Sequence, residues 1–99
     1  MISTKQEMVI DLENARVVKV IWVDSHHISG WSNVENLPSI IKKTISIGIE
    51  IKNTNEAIAL ALSYSNNLPQ VQGVILIPKC CIHSEEAIAV INITEEISL

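Results

Sequence analysis

A chain of 99 residues with a formal net charge of −4 can build one core and has no room for a second independent domain. Its seven Lys and Arg residues form no group larger than the Lys42 and Lys43 pair. That argues against broad binding to DNA or RNA, where clustered cations must displace the counterions of phosphates. Hydrophobic residues make up 47% of the chain, yet aromatics make up 3% and Phe is absent, so the core must be aliphatic. The β-branched Ile and Val that supply it favour strands.

The opening residues, MISTKQEMVIDLE, lack the basic start and long apolar core of a secretory signal. No apolar run approaches the roughly 20 residues that cross a bilayer. The expectation is a soluble, cytoplasmic protein with no membrane partner. Cys80 and Cys81 are sequence neighbours, a spacing that makes a relaxed intrachain disulfide awkward and suits a reducing compartment. The whole chain, 1–99, is read as a single β-barrel domain, with 1–16 as an N-terminal extension and 84–99 as a C-terminal one.

In chain order, MVIDL is expected to pair across ENA with RVVKVIWVD, itself a strand. The segment SNVENLPSIIKK then places Ser32 three residues before Glu35, a capping box for one helical turn that Pro38 ends. The clearest signal is TISIGIEIK, residues 44–52, with isoleucine at 45, 47, 49 and 51 and Thr, Ser, Gly, Glu and Lys between, the period of a half-buried strand. NTNE supplies a turn, and AIALALSYS returns as the second strand of a hairpin. That strand carries Ile58, Leu60, Leu62 and Tyr64 on one face and Ala57, Ala59, Ala61 and Ser63 on the other. The small face either lies against solvent or admits another sheet, a subunit or a ligand.

SNNLPQVQG, residues 65–73, reads as a loop from its Asn, Pro and Gly content. VILIP is a short apolar strand stopped by Pro78. A last strand region begins near Ala87, although Ser84 with Glu85 and Glu86 also fits a helix start. The β-branched Ile88, Val90, Ile91 and Ile93 favour the strand. Five or six short strands with one helical turn suit a mostly β, small closed or nearly closed barrel, which removes exposed edges.

Residues 73–82, GVILIPKCCI, resemble the end of an SH3 domain. There a strand runs into an Ile-Pro step, a single 3₁₀ turn and a last strand opened by an apolar residue. Ile77 and Pro78 would be the step, Lys79 to Cys81 the turn and Ile82 the opening residue. The resemblance implies a small SH3-like or Sm-like β-barrel of five or six strands. It does not imply proline-rich peptide binding, because that needs an aromatic-lined groove and this chain has one Tyr and no Phe.

Over a longer span, V-x-W-V-D-S, G-W, S-x-G-I-x-I-K and I-P-K-x-x-I are similar to small bacteriophage-encoded proteins of no settled activity. Residues 20–25, 30–31, 46–52 and 77–82 carry the pattern. The N-terminal segment and the tail SEEAIAVINITEEISL depart from it. This resemblance implies the host cell cytoplasm and an anti-defence role, either sequestering a small host signalling molecule or blocking a host defence protein.

For chemistry, His26 and His27 are adjacent, and neighbouring residues in extended backbone point apart. Adding Cys80, Cys81 and His83 does not produce the ligand spacing of a structural zinc motif. Cys80 or Cys81 with His83 or His26 as base and Asp24 as orienter can be drawn as a nucleophilic site, but no spacing requires it. Glycine-rich phosphate loops and the G-x-S-x-G elbow are absent.

Trp22 shares its strand face with Val20 and is expected to fill the core, its ring N–H seeking a partner. Trp31 is expected to close the intervening loop against the barrel end. Residues 24–30 would then be displayed as a binding loop, with residues 65–72 as a second. The expected function is a non-enzymatic binding module, with no catalytic residue, metal or cofactor. Asp24, Ser25, His26, His27, Trp31 and Lys79 are its candidate ligand-binding residues. Any anionic ligand would lie near Lys42, Lys43 or Lys79. Abundant aliphatic surface in so short a chain suggests a homo-oligomer. A virion assembly component and a metal- or cysteine-dependent hydrolase are the rival readings.

Overall fold

The computed structural model describes residues 13–25, 30–38, 41–65 and 69–94. Among them are seven strands: β1 (Asn14–Val23), β2 (Lys43–Asn53), β3 (Ala57–Ala61), β4 (Ser63–Ser65), β5 (Gln70–Gln72), β6 (Ile75–Pro78) and β7 (Ile82–Asn92). Two 3₁₀ turns complete the elements, at Val34–Asn36 and Lys79–Cys81. The fold is mostly β and antiparallel throughout. No helix among the described residues is long and apolar enough to cross a membrane.

Five strands form one sheet in the order β6-β3-β2-β1-β7, and β4 pairs with β5 in a separate ribbon. Val18 and Val20 of β1 join one core cluster with Ile58 and Leu60 of β3 and Ile77 of β6, and Trp22 and Ile82 pack against it. In a flat sheet β6 would lie three spacings from β1, roughly 14 Å, beyond side-chain reach. A single flat layer would also leave Val18 and Val20 open on this face, yet both are fully buried, so the sheet curls around them. Register shifts at Val17/Val18 and Ile21/Trp22 between β1 and β7, and at Glu50/Lys52 between β2 and β3, supply local bending. The sheet does not close, because no ladder joins β6 to β7 among the described residues.

The hairpin expected from TISIGIEIK and AIALALSYS is β2 and β3. The Thr54 hydroxyl builds its turn, accepting from the backbone N–H of Glu56 and Ala57, both at 3.1 Å. The face turned inward is the reverse of the one the isoleucines suggest. Val18 lies opposite Gly48 and Val20 opposite Ser46, so the polar alternate positions of β2 face the core. Ile45 and Ile47 lie on the other side, 56% and 58% exposed. Each inward residue has a reason to be there. Trp22 Nε1 donates to Ser46 Oγ at 3.0 Å, Gly48 lets β3 approach closely, and Glu50 is paired with Arg16. Period two identifies a strand, whereas the side that is buried depends on what lies beside it.

Other expectations shift as well. β1 has β2 on one edge and β7 on the other; the expected pairing of MVIDL with it lies outside the described residues. The helical turn before Pro38 is a 3₁₀ turn whose cap position is Asn33 and not Ser32, and it makes no side-chain capping bond. The second hairpin strand ends at Ala61. Leu62 N–H turns to the carbonyls of Gln72 and Gly73 at 3.0 and 3.1 Å, opening the β4–β5 ribbon where a loop is expected. Gly73, at φ +67°, closes the ribbon, and a side chain there would meet Leu62 Cβ at 2.8 Å. On the small face, Ala59 and Ala61 are buried.

The step from β6 to β7 has the elements expected from the sequence: the strand ends at Pro78, a 3₁₀ turn spans Lys79–Cys81, and Ile82 opens the last strand. That strand is eleven residues long. It absorbs residues 84–92 of the expected C-terminal extension and leaves no helix at Ser84. Because it returns to β1, the two ends of the described chain meet, with Ile93 N–H donating to the Glu13 carbonyl at 2.8 Å.

Candidate functional site

Trp22 is flanked by Thr44 of β2 and by Ile82 of β7. The residues that follow β1, Asp24 and Ser25, therefore emerge at a rim between the start of β2 and the Lys79–Cys81 turn. There Asp24, Ser25, Lys42 and Thr44 line a shallow concavity of about 240 Å³. The Asp24 charge is also felt at Cys81 across the rim. A carboxylate, a hydroxyl and an ammonium group thus share one small polar surface. His26 and His27 lie outside the described residues.

Two of the expected ligand-binding residues are placed elsewhere. The Lys79 ammonium lies 3.5 Å from Glu85 Oε2, which lowers its availability to an anion, and it does not line the Asp24 concavity. Trp31 is fully exposed. It lines a separate, open concavity of about 560 Å³ with Ser32, Asn33, Asn36, Leu37 and Pro38 of its own loop. The expectation that it plugs the barrel end is therefore corrected. Gly30 adopts φ +78°, and the chain beyond it carries the indole into solvent. Trp31→Ala is expected to change folding stability by no more than about 0.5 kcal/mol. A urea midpoint displaced as far by Trp31→Ala as by Trp22→Ala would show that the loop docks after all.

A polar network in the curl of the sheet went unnoticed in the sequence. Glu50 is 1% exposed. It accepts from Arg16 Nε at 2.7 Å, from Arg16 Nη2 at 3.2 Å and from Asn53 Nδ2 at 2.7 Å. Asn53 Nδ2 also lies 3.3 Å from Glu85 Oε1, and Glu85 pairs with Lys79. The chain Arg16, Glu50, Asn53, Glu85, Lys79 therefore links β1, β2, β7 and the 3₁₀ turn. The signal that pointed to it is a glutamate set among the isoleucines of β2, at a position that register brings beside Arg16. Every member has a partner, which is how a buried carboxylate is tolerated.

Cys80 and Cys81 are free thiols with sulfurs 3.9 Å apart. Their mutual hydrogen bond, then burial, then the charges of Cys80 and Asp24 push the Cys81 thiol above its ordinary range. This is opposite to the depressed value that activates a nucleophilic cysteine. Among the described residues no three His, Cys, Asp or Glu side chains assemble as a metal-ligand set.

What remains for recognition is surface. Cross-strand partners share a face, so Val17, Ile21 and Val23 of β1 lie beside Ile49, Ile45 and Lys43 of β2, with Ile47 opposite Lys19. On this outer face Lys19 Nζ pairs with Glu86 Oε1 at 3.2 Å. The result is an aliphatic sheet surface crossed by the Lys19–Glu86 ion pair and ended by Lys43. Compared with known proteins, the chain matches no family model, no curated protein and no solved structure.

Proposed function

We propose that this chain is a non-enzymatic binding module on an SH3-like sheet, acting as a homo-oligomer through its outer face. The observation that carries the reading is the exposure of Ile45 and Ile47, each more than half open, on the face where Ile45 lies opposite Ile21 and Ile49 opposite Val17. Soluble proteins rarely leave such a contiguous aliphatic surface without a partner. A second copy suits it because the charges at the middle of the face, Lys19 and Glu86, are paired to each other, and Lys43 stands at the end of the face beside Val23.

Size agrees with that occupant. β1, β2 and β7 are 10, 11 and 11 residues long. At about 4.8 Å between strands and about 3.4 Å per residue they present roughly 500 Å² of flat sheet before side-chain relief. Specific interfaces bury about 800 Å² of accessible surface per partner. By contrast, the Asp24 concavity of about 240 Å³ falls below the roughly 300–1,000 Å³ of small-ligand pockets. The larger concavity at Trp31, about 560 Å³, is open and lined by a single loop, so docking of a sheet surface is favoured over sequestering a small signalling molecule. Within the bacteriophage resemblance, the corresponding role is blocking a host defence protein. The SH3-like assignment rests on the Ile-Pro step, the 3₁₀ turn and the return of the last strand to the first.

Native mass spectrometry and size-exclusion chromatography at micromolar concentration test the proposal. The wild type is expected as a discrete oligomer and Ile47→Lys as a folded monomer, because the replaced side chain is 58% exposed and contributes little to the core. A monomeric wild type would remove the basis for the reading. The assembly-component alternative is favoured by β7, whose outer edge has no partner strand among the described residues over eleven residues without proline. β6 is four residues long and ends at Pro78. Large rings or open polymers in the same experiment would favour that alternative.

A further inference from the structure

The turn from β6 to β7 is tied down at both ends and carries its two thiols side by side. Pro78 enters it at φ −62°, and Ile82 N–H closes it on the Lys79 carbonyl. Lys79 N–H is tied to the Glu56 carbonyl at 2.8 Å, and the Ile82 side chain packs on the core. Backbone anchored at both ends sets where the two Cβ atoms sit, and in the structure the sulfurs they carry lie 3.9 Å apart. Cys80 is exposed and Cys81 partly so.

Two kinds of thiol chemistry are open to such a pair, and distance separates them. A disulfide needs the sulfurs at about 2.05 Å and Cα atoms usually 4.4–6.8 Å apart. Neighbouring Cα atoms across a trans peptide are held at about 3.8 Å. Two thiolates bound at about 2.3 Å to a tetrahedral ion lie about 3.8 Å from each other. The observed 3.9 Å is the spacing of the second case. The pair is placed to be bridged by one larger atom and poorly placed to bond directly.

We propose that Cys80 and Cys81 form a bidentate site for a soft, thiophilic ion or trivalent metalloid. Each thiol loses a proton and two sulfur–metal bonds form, with no change of oxidation state. Thiolates select soft centres over hard ones, and the Asp24 charge felt at this turn favours a cation. With no set of three ligating side chains among the described residues, the other positions on the ion are left to water or to a second donor. A closed structural zinc site has four protein ligands, so this one suits capture and exchange, and folding does not depend on it.

Cadmium ion and phenylarsine oxide are the probes. Titration with cadmium, followed by thiolate-to-metal charge-transfer absorption, is expected to saturate at one ion per chain. Phenylarsine oxide is expected to add once per chain with loss of one water, as two S–H bonds and the As–O bond give two As–S bonds. Cys80→Ser and Cys81→Ser should each abolish the arsenical adduct and weaken cadmium binding at least about a hundredfold, with circular dichroism unchanged. His83→Ala should leave both intact. Two arsenicals per chain, cadmium shared between two chains, undiminished binding in either serine variant, or no binding to the folded wild type would overturn the proposal.

Discussion

Arg16→Met is expected to destabilise the fold by about 2–4 kcal/mol, a large share of the 5–15 kcal/mol that holds a typical domain. Glu50 is 1% exposed, and the Arg16 guanidinium provides two of its three side-chain hydrogen bonds. Removing that partner leaves a buried carboxylate with one amide donor, the situation in which broken ion pairs cost most. The Arg16 side chain is itself 48% exposed. Water can enter the gap it leaves, which places the expected loss below the upper limit for fully enclosed pairs. Urea denaturation of the wild type, Arg16→Met, Glu50→Met and the double variant checks this. The double variant should be more stable than Arg16→Met, because it no longer buries an unpaired charge. A loss under about 0.5 kcal/mol for Arg16→Met would show that the network does not hold the sheet.

Gly48→Val should unfold the protein at a markedly lower temperature, against what strand propensity alone would lead one to expect. Valine is a better strand former than glycine by up to about 1 kcal/mol. At this position, however, a Cβ would meet the Ala61 carbonyl oxygen at 2.9 Å and Leu60 Cβ at 3.0 Å. The first is backbone and the second belongs to a buried core residue, so neither yields easily. Overpacking of this kind costs about 1–3 kcal/mol for small insertions. Alanine is expected near the middle of that range and valine at or above its top. At about 4–8 °C per kcal/mol, Gly48→Ala should lower the melting temperature by roughly 10 °C and Gly48→Val by more. A valine variant as stable as the wild type would mean that β2 and β3 lie farther apart than described.

The two replacements concern the same strand and show how far its pattern could be read. TISIGIEIK announces a strand because alternation is a property of nine consecutive residues. It also invites the conclusion that isoleucines face the core, and that does not follow. Ser46, Gly48 and Glu50 face inward because a tryptophan N–H, a closely packed β3 and an arginine lie there, 24 to 34 residues away in the chain for the two side-chain bonds. The candidate site divides in the same way. Asp24 and Ser25 do reach a rim beside Lys42, as expected of residues ending a strand. Lys79 is drawn to Glu85, and Trp31 stands in solvent, because neither the ion pair nor the missing dock is visible in local spacing. The β4–β5 ribbon was hidden for a related reason, since SNNLPQVQG carries turn chemistry and each of its strands spans only three residues.

By itself the sequence determined where this chain extends and where it turns: the strands of the central hairpin, the Thr54 turn and the 3₁₀ step after Pro78. Period, β-branching and proline act over a few bonds and need no distant partner. Only the tertiary structure decided which face of β2 is inside, that β7 returns to β1, and that a glutamate could be buried. Burial is a relation between strands, set by which surfaces the curled sheet brings together.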